Sequence, residues 1–210
     1  DVLEQAIRLL KAYYTDKFVQ WKNHCVPRVL PFSLHDANPI GIILLAKVVE
    51  EPSMLPVAFY LCATLRPKIL DGWKRHDGKT AYLSREDAEA AVAGYGALSR
   101  DYGSMFDRIF AVLVAWACKL RGPGGCKEGM ERLRDRLKES LASRSPVMLD
   151  SCDIYLASAA LPVSPTLPPV LCGACKDELI RRDKVERRKV WCALPAMFCL
   201  YKDGNQCNVL

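Results

Sequence analysis

The residues with the clearest chemical promise are the paired thiols of Cys172-Gly173-Ala174-Cys175. A C-x-x-C knuckle at the start of a helix places two sulfurs on one side of a metal, and a structural zinc then needs two further ligands. Cys118 and Cys126 are the best remaining pair. They flank the turn Arg121-Gly122-Pro123-Gly124-Gly125, and a turn between two helices folds both sulfurs toward one point. The expected site is a structural zinc held by Cys118, Cys126, Cys172 and Cys175. The spacing from Cys118 to Cys126 is not that of a zinc finger. The competing reading keeps these thiols reduced in or near the core, where a free cysteine acts as a small hydrophobe. A thioredoxin-like redox role lacks the βαβ pattern that should surround it. Cys–His catalysis lacks a positioned base, since none of His24, His35 and His76 lies in a recognisable motif. His24 and Cys25 make a poor metal pair, because adjacent helical residues do not face the same way.

Long helical segments must position these cysteines. Ser84, with Asp87 three residues later, resembles a capping box. From there Ala88, Ala91, Val92, Tyr95, Leu98, Tyr102, Met105, Ile109, Leu113 and Trp116 recur at threes and fours, so one long helix is expected over about 84–120. Gly94, Gly96 and Gly103 would bend it or let another helix approach closely. The stretch 109–118 is apolar on all sides and is expected to be buried. The glycine turn after it is no phosphate loop: no strand precedes it and no G-x-x-x-x-G-K-[ST] is present. Residues 126–141 form an amphipathic helix with Met130, Leu133, Leu137 and Leu141 inward and alternating charges outward. Prolines at 146, 162, 165, 168 and 169 mark 142–171 as a long loop. Helix resumes over 173–190. Within it the run 176–189 holds seven basic and four acidic residues, a net charge of +3. Val190, Trp191, Leu194 and Phe198 then point inward, Pro195 bends or ends the helix, and 201–210 should fray.

The most apolar part of the chain, 38–65, should form the buried centre. Asn38 can cap a helix begun by Pro39. Glu50, Glu51 and Pro52 break it, Ser53 caps a second helix, and Leu55, Ala58, Phe59, Cys62 and Leu65 make that helix's inward stripe. The result is a core helical hairpin. Lys47, Glu50, Glu51 and Pro52 interrupt the run before the roughly 20 apolar residues a membrane span needs. Upstream, residues 2–14 carry Leu3, Ala6, Ile7, Leu10, Tyr13 and Tyr14 on one helical face, and Thr15 can cap a short helix with Phe18, Val19 and Trp21. Residues 26–38 read as a loop, 69–73 as a short helical turn, and 74–80 as an exposed loop. No strand pattern is convincing. The expected fold is an all-α, irregular helical bundle, a single domain over 1–210.

Half of the residues are hydrophobic, which excludes wholesale disorder. A net charge of +6 permits an acidic partner without requiring nucleic acid. Asp1 stands where an initiator Met would be, and no signal peptide or membrane span is evident, so the sequence reads as a segment of a longer, intracellular protein. In a reducing compartment its ten cysteines would be thiols rather than disulfides.

Three groups of residues carry a family resemblance. The first is Pro39-Ile40, Leu45-Ala46 and Leu55-Pro56-Val57-Ala58-Phe59-Tyr60. The second is Leu83-Ser84 with Glu86-Asp87, Gly94 and Leu98. The third is Cys172 and Cys175 followed by Arg188, Val190, Trp191, Leu194-Pro195, Phe198 and Leu200, with Cys118 and Cys126 upstream. In this order they resemble the helical region that follows the BTB/POZ domain in a large family of fungal BTB-domain proteins. Met54 and Val57 depart from that pattern, as does Cys199 where glycine is common. The resemblance implies a non-enzymatic interaction or scaffold module of a BTB-type adaptor. The BTB domain itself, through which a full-length protein would dimerise, is absent from these residues.

The expected function is therefore non-catalytic, since no motif places an acid, base or nucleophile. A protein partner would use the charged face around Arg181, Arg182, Arg187 and Arg188, the outer face of 126–141, or the Pro-rich loop. The alternative is nucleic-acid binding through the basic helix 176–189, which the modest, interleaved charge disfavours.

Overall fold

Helices form where the apolar spacing and the caps agree. The computed structural model describes residues 2–24, 38–111, 115–142 and 171–200. The expected Pro-rich loop over 142–171, the loop at 26–38 and the frayed tail at 201–210 lie outside these residues, apart from the ends at 38, 142 and 171. The all-α expectation holds. The helices are α1 (Val2–Tyr13), α2 (Phe18–His24), α3 (Pro39–Val48), α4 (Leu55–Thr64), α5 (Arg85–Ile109), α6 (Cys126–Ala142) and α7 (Gly173–Met197). Short 3-10 turns at Pro52–Met54 and Arg66–Asp71 flank α4. The chain divides into two compact units, residues 1–99 with 191–210, and residues 100–190.

The first unit is built on the expected hairpin of α3 and α4. The Asn38 side chain accepts the Ile40 N–H at 2.9 Å, so the sequence-read cap is present. Ser53 caps nothing: Pro52–Met54 enters α4 as a 3-10 turn, and no side chain caps that helix. The stripe read on α4 is wider in the structure. Val57, Ala58, Phe59, Tyr60, Cys62 and Ala63 are all buried. Val48, the last residue of α3, is 81% exposed. The helix ends there, and Glu50 turns through a left-handed φ of 54°. Thr15 does precede α2, its Oγ1 accepting the Lys17 N–H at 3.1 Å. Trp21 packs against Tyr13, Tyr60 and Trp191 at ring-centroid distances of 5.6, 6.3 and 5.7 Å. These aromatics anchor the core.

Gly94 explains one interruption of α5. A Cβ at this position would lie 2.0 Å from the Phe198 ring, so only glycine admits that ring against the helix. Phe198 is fully buried and also meets Phe59, ring centroids 5.6 Å apart.

Ser84 caps α5 through the Asp87 N–H at 3.1 Å, as the sequence indicated. The Asp87 carboxylate binds Lys47 Nζ instead, at 2.6 and 2.7 Å. Lys47, which spoils 38–65 as a membrane span, thus ties α3 to α5. Asp87 is buried and Lys47 half-exposed. Lys47→Met should cost about 2 kcal/mol by stranding a buried carboxylate. Urea denaturation would read it, and an unchanged midpoint would show that the pair adds nothing.

Two expectations fail in the segments between helices. A minimal hairpin pairs Trp73 with Ala81 and Lys74 with Thr80, so the exposed segment 74–80 is a turn at 75–79 with a strand residue at each end rather than a plain loop. Such short strands carry no readable alternation. The long helix over 84–120 stops at Ile109, and Trp116, expected inward, is 91% exposed. The chain turns instead at Ala115–Cys118, whose carbonyls Arg121 gathers: Ala115 at 3.4 Å, Trp116 at 2.5 Å and Cys118 at 3.4 Å. Backbone groups that a helix would have satisfied are partnered by this side chain.

Candidate metal centre

The second unit brings Cys118, Cys126, Cys172 and Cys175 together. Their four sulfurs lie within 4.8 Å of one another. Four different local structures place them. Cys118 ends the turn that Arg121 organises. Cys126 opens α6, reached through a tight loop in which the Cys126 N–H donates to the Leu120 carbonyl at 2.9 Å. Gly125 is required there, because a Cβ would sit 2.2 Å from that same carbonyl oxygen. Glu128, in the first turn of α6, accepts the Gly124 N–H at 3.0 Å and holds the loop to the helix. Cys172 immediately precedes α7, its carbonyl accepting the Cys175 and Lys176 N–H groups at 3.1 and 3.0 Å. Cys175 lies in the first turn of α7.

The arrangement fits a tetrahedral metal. A zinc–sulfur bond of about 2.3 Å sets neighbouring sulfurs about 3.8 Å apart. The Cys118 and Cys172 sulfurs are already 3.9 Å apart, and a modest contraction would seat the longest pair. Cys126 and Cys175 are fully buried, Cys118 nearly so and Cys172 half-buried. Backbone N–H groups aim at the sulfurs: Cys172 N–H meets Cys126 Sγ at 3.2 Å, and the amides of Cys175 and Lys119 meet Cys172 Sγ. Donors of this kind orient ligands and stabilise negative sulfur.

The same contacts separate the four acidities. The Cys175 N–H foremost draws the Cys172 thiol down to about 6, against an opposing effect of burial. Burial pushes Cys175 up to about 12 and raises Cys126. As free thiols the four would concentrate negative charge on Cys172, next to neighbours able to donate to it. A soft cation would neutralise that charge and draw the other three sulfurs in as ligands.

The structure thus joins the four cysteines singled out in the sequence. It also adds Arg121 and the amides of Lys119 and Cys175, which the sequence gave no reason to choose. His76 is exposed in the hairpin turn, far in sequence from any of these groups. The His24 side chain, Cys25 and His35 lie outside the described residues.

The four arginines proposed as a docking surface do not share one exposed face. Arg181 and Arg188 are exposed. Arg182 turns inward, donating to Glu178 at 2.9 Å and to the Ala111 carbonyl at 2.8 Å. Arg187 is buried and donates to the equally buried Asp183 at 2.6 Å. Further along, burial pushes the Glu186 carboxyl up, but hydrogen bonds from Lys189 and Arg108 outweigh it and leave the group lowered. Two of the seven basic side chains of 176–189, Arg182 and Arg187, therefore turn into the unit, while Arg181, Lys184, Arg188 and Lys189 stay exposed. Of the side chains Met130, Leu133, Leu137 and Leu141 expected inward on α6, Met130 and Leu133 are buried.

Hydrogen bonds from Arg181, then Arg182, hold the Glu178 carboxyl at about 2. A lowered folded-state value gives stability that is present above the unfolded carboxylate range, around pH 4.3, and is lost as pH falls toward 2. Urea midpoints of the parent and of Glu178→Gln should differ at pH 7 and draw together as pH falls from about 4 toward 2. A gap that stays constant with pH would rule this linkage out.

No known protein family, curated protein or solved structure matches the chain. No helix among the described residues is long and apolar enough to cross a membrane.

Proposed function

We propose that the chain is a non-catalytic protein-interaction or scaffold module of a BTB-type adaptor, stabilised by a structural zinc at Cys118, Cys126, Cys172 and Cys175. The observation that carries this reading is the four-thiol cluster itself. Four protein sulfurs complete a tetrahedral shell and leave no position for substrate or reactive water, which is the coordination of structural rather than catalytic zinc. The cluster would fasten the turn at 115–125, the start of α6 and the start of α7 to one point. Such a site needs thiols, which suits a reducing compartment, the cytoplasm or nucleus. The exposed side of α7, with Arg181, Lys184 and Arg188 beside Ile180 and Val185, is one surface open to a partner, beside the outer face of α6.

Metal analysis of protein purified under reducing conditions without a metal-binding tag tests the first half. Roughly one zinc per chain supports it, and metal-free, fully folded protein overturns it. Charge reversal at Arg181, Lys184 and Arg188 tests the second. Recovery of partners by affinity purification should fall while the fold stays intact, the melting temperature dropping only slightly through the lost exposed Arg181–Glu178 pair. Undiminished recovery would return this face to solvent.

A further inference from the structure

The four cysteines are not equivalent. Cys126 and Cys175 lie within α6 and α7, where helical hydrogen bonds fix their backbones, and both are fully buried. Cys118 and Cys172 lie outside regular helix, one in the turn before α6 and the other just before α7. Cys172 is the most exposed of the four. The Cys118 and Cys172 sulfurs are 3.9 Å apart, and a disulfide needs about 2.05 Å. Cys118 lies in a turn outside any helix, so side-chain rotation with a small shift of that turn can supply this closure of under 2 Å, whereas Cys175 is fully buried and its backbone is held within α7.

We propose that Cys172 is an oxidation site for peroxides and that Cys118, rather than its motif partner Cys175, resolves it. The Cys172 sulfur attacks the O–O bond of hydrogen peroxide. One oxygen stays on sulfur as S–OH, and the other leaves as hydroxide and takes up a proton to become water. The Cys118 sulfur then attacks that sulfur, forming the S–S bond and expelling a second hydroxide, which is likewise protonated to water. The two thiols lose two electrons in total and the peroxide gains them. Where the cluster holds zinc, the disulfide removes two of four ligands, and the ion leaves. This last consequence rests on the zinc reading above; the disulfide pairing does not.

The test treats the whole chain, as purified under reducing conditions, with stoichiometric hydrogen peroxide. Remaining thiols are then blocked by alkylation, disulfide-linked peptides are mapped by mass spectrometry, and released zinc is followed with a chromogenic chelator. The expected result is a dominant Cys118–Cys172 link that forms together with zinc release and is reversed by dithiothreitol. A dominant Cys172–Cys175 link, or four thiols still open to alkylation, overturns the proposal. A Cys118–Cys172 link in protein that never held zinc upholds the pairing and removes the zinc reading. Zinc retained with no such link does the reverse. Cys118→Ser gives a second readout, since Cys172 should then persist as a sulfenic acid that dimedone traps. Failure to trap it, with Cys172 still alkylated as a thiol, overturns the assignment of Cys172 as the oxidised residue.

Discussion

Cys175→Ser is expected to abolish metal binding and to lower the stability of residues 100–190 by several kcal/mol, the scale on which a lost structural metal is felt. Cys175 is fully buried, so its replacement cannot be relieved by solvent. Serine offers a shorter, harder donor and leaves a hydroxyl among three sulfurs, two of them nearly or fully enclosed. Calorimetry with metal analysis should show the zinc gone and the transition of this unit shifted down. A chelator added to the parent should move its transition toward that of the variant while leaving the variant itself unmoved. Cys62→Ser is the matched control. Cys62 is equally buried in α4, and burial, with the Asp87 charge nearby, pushes its thiol up to about 12. It should lose about 1–3 kcal/mol through its buried hydroxyl and keep the parental metal content. If Cys175→Ser behaves like this control, with zinc and chelator response unchanged, the cluster is ordinary core.

The cysteine cluster was legible because C-x-x-C and the glycine turn are local signals, and Cys118 and Cys126 had only one turn to cross. The start of α3 was legible for the same reason, since Asn38 and Pro39 act on their own neighbours. The end of α5 was not. Residues 109–118 carry no glycine or proline to stop a helix, and what satisfies the turn there is Arg121, a residue the sequence shows only as the edge of a break. The hairpin at 73–81 escaped because two-residue strands have no period. The inward charges of α7 were recoverable in principle. Continuing the stripe of Leu194 and Val190 backward by threes and fours lands on Arg187, Glu186, Asp183 and Leu179, all of them buried. Counting charges over 176–189 concealed that phase, because composition ignores which side of a helix a residue takes.

That phase makes Arg187 the most sensitive charged position of α7. Arg187→Glu should destabilise residues 100–190 by about 3–5 kcal/mol, the cost of breaking a buried pair. The Arg187 and Asp183 side chains are each less than a tenth exposed and meet at 2.6 Å. Reversal would put two carboxylates four residues apart on one buried face, with neither able to reach water. Arg181→Glu, on an exposed side chain paired with Glu178, should cost far less, because solvent screens such pairs. Chemical denaturation of the two variants separates the roles directly. Equal, small effects would mean that water reaches Arg187 in solution. The paired replacement Asp183→Leu with Arg187→Met removes both charges and keeps apolar bulk. It should recover most of the loss, since a buried ion pair contributes little beyond what packing can replace. A double variant as unstable as Arg187→Glu would show instead that the two side chains are held by partners beyond each other. Any test of α7 as a docking surface must therefore be made at Arg181 and Arg188, because a binding defect at Arg187 would report unfolding.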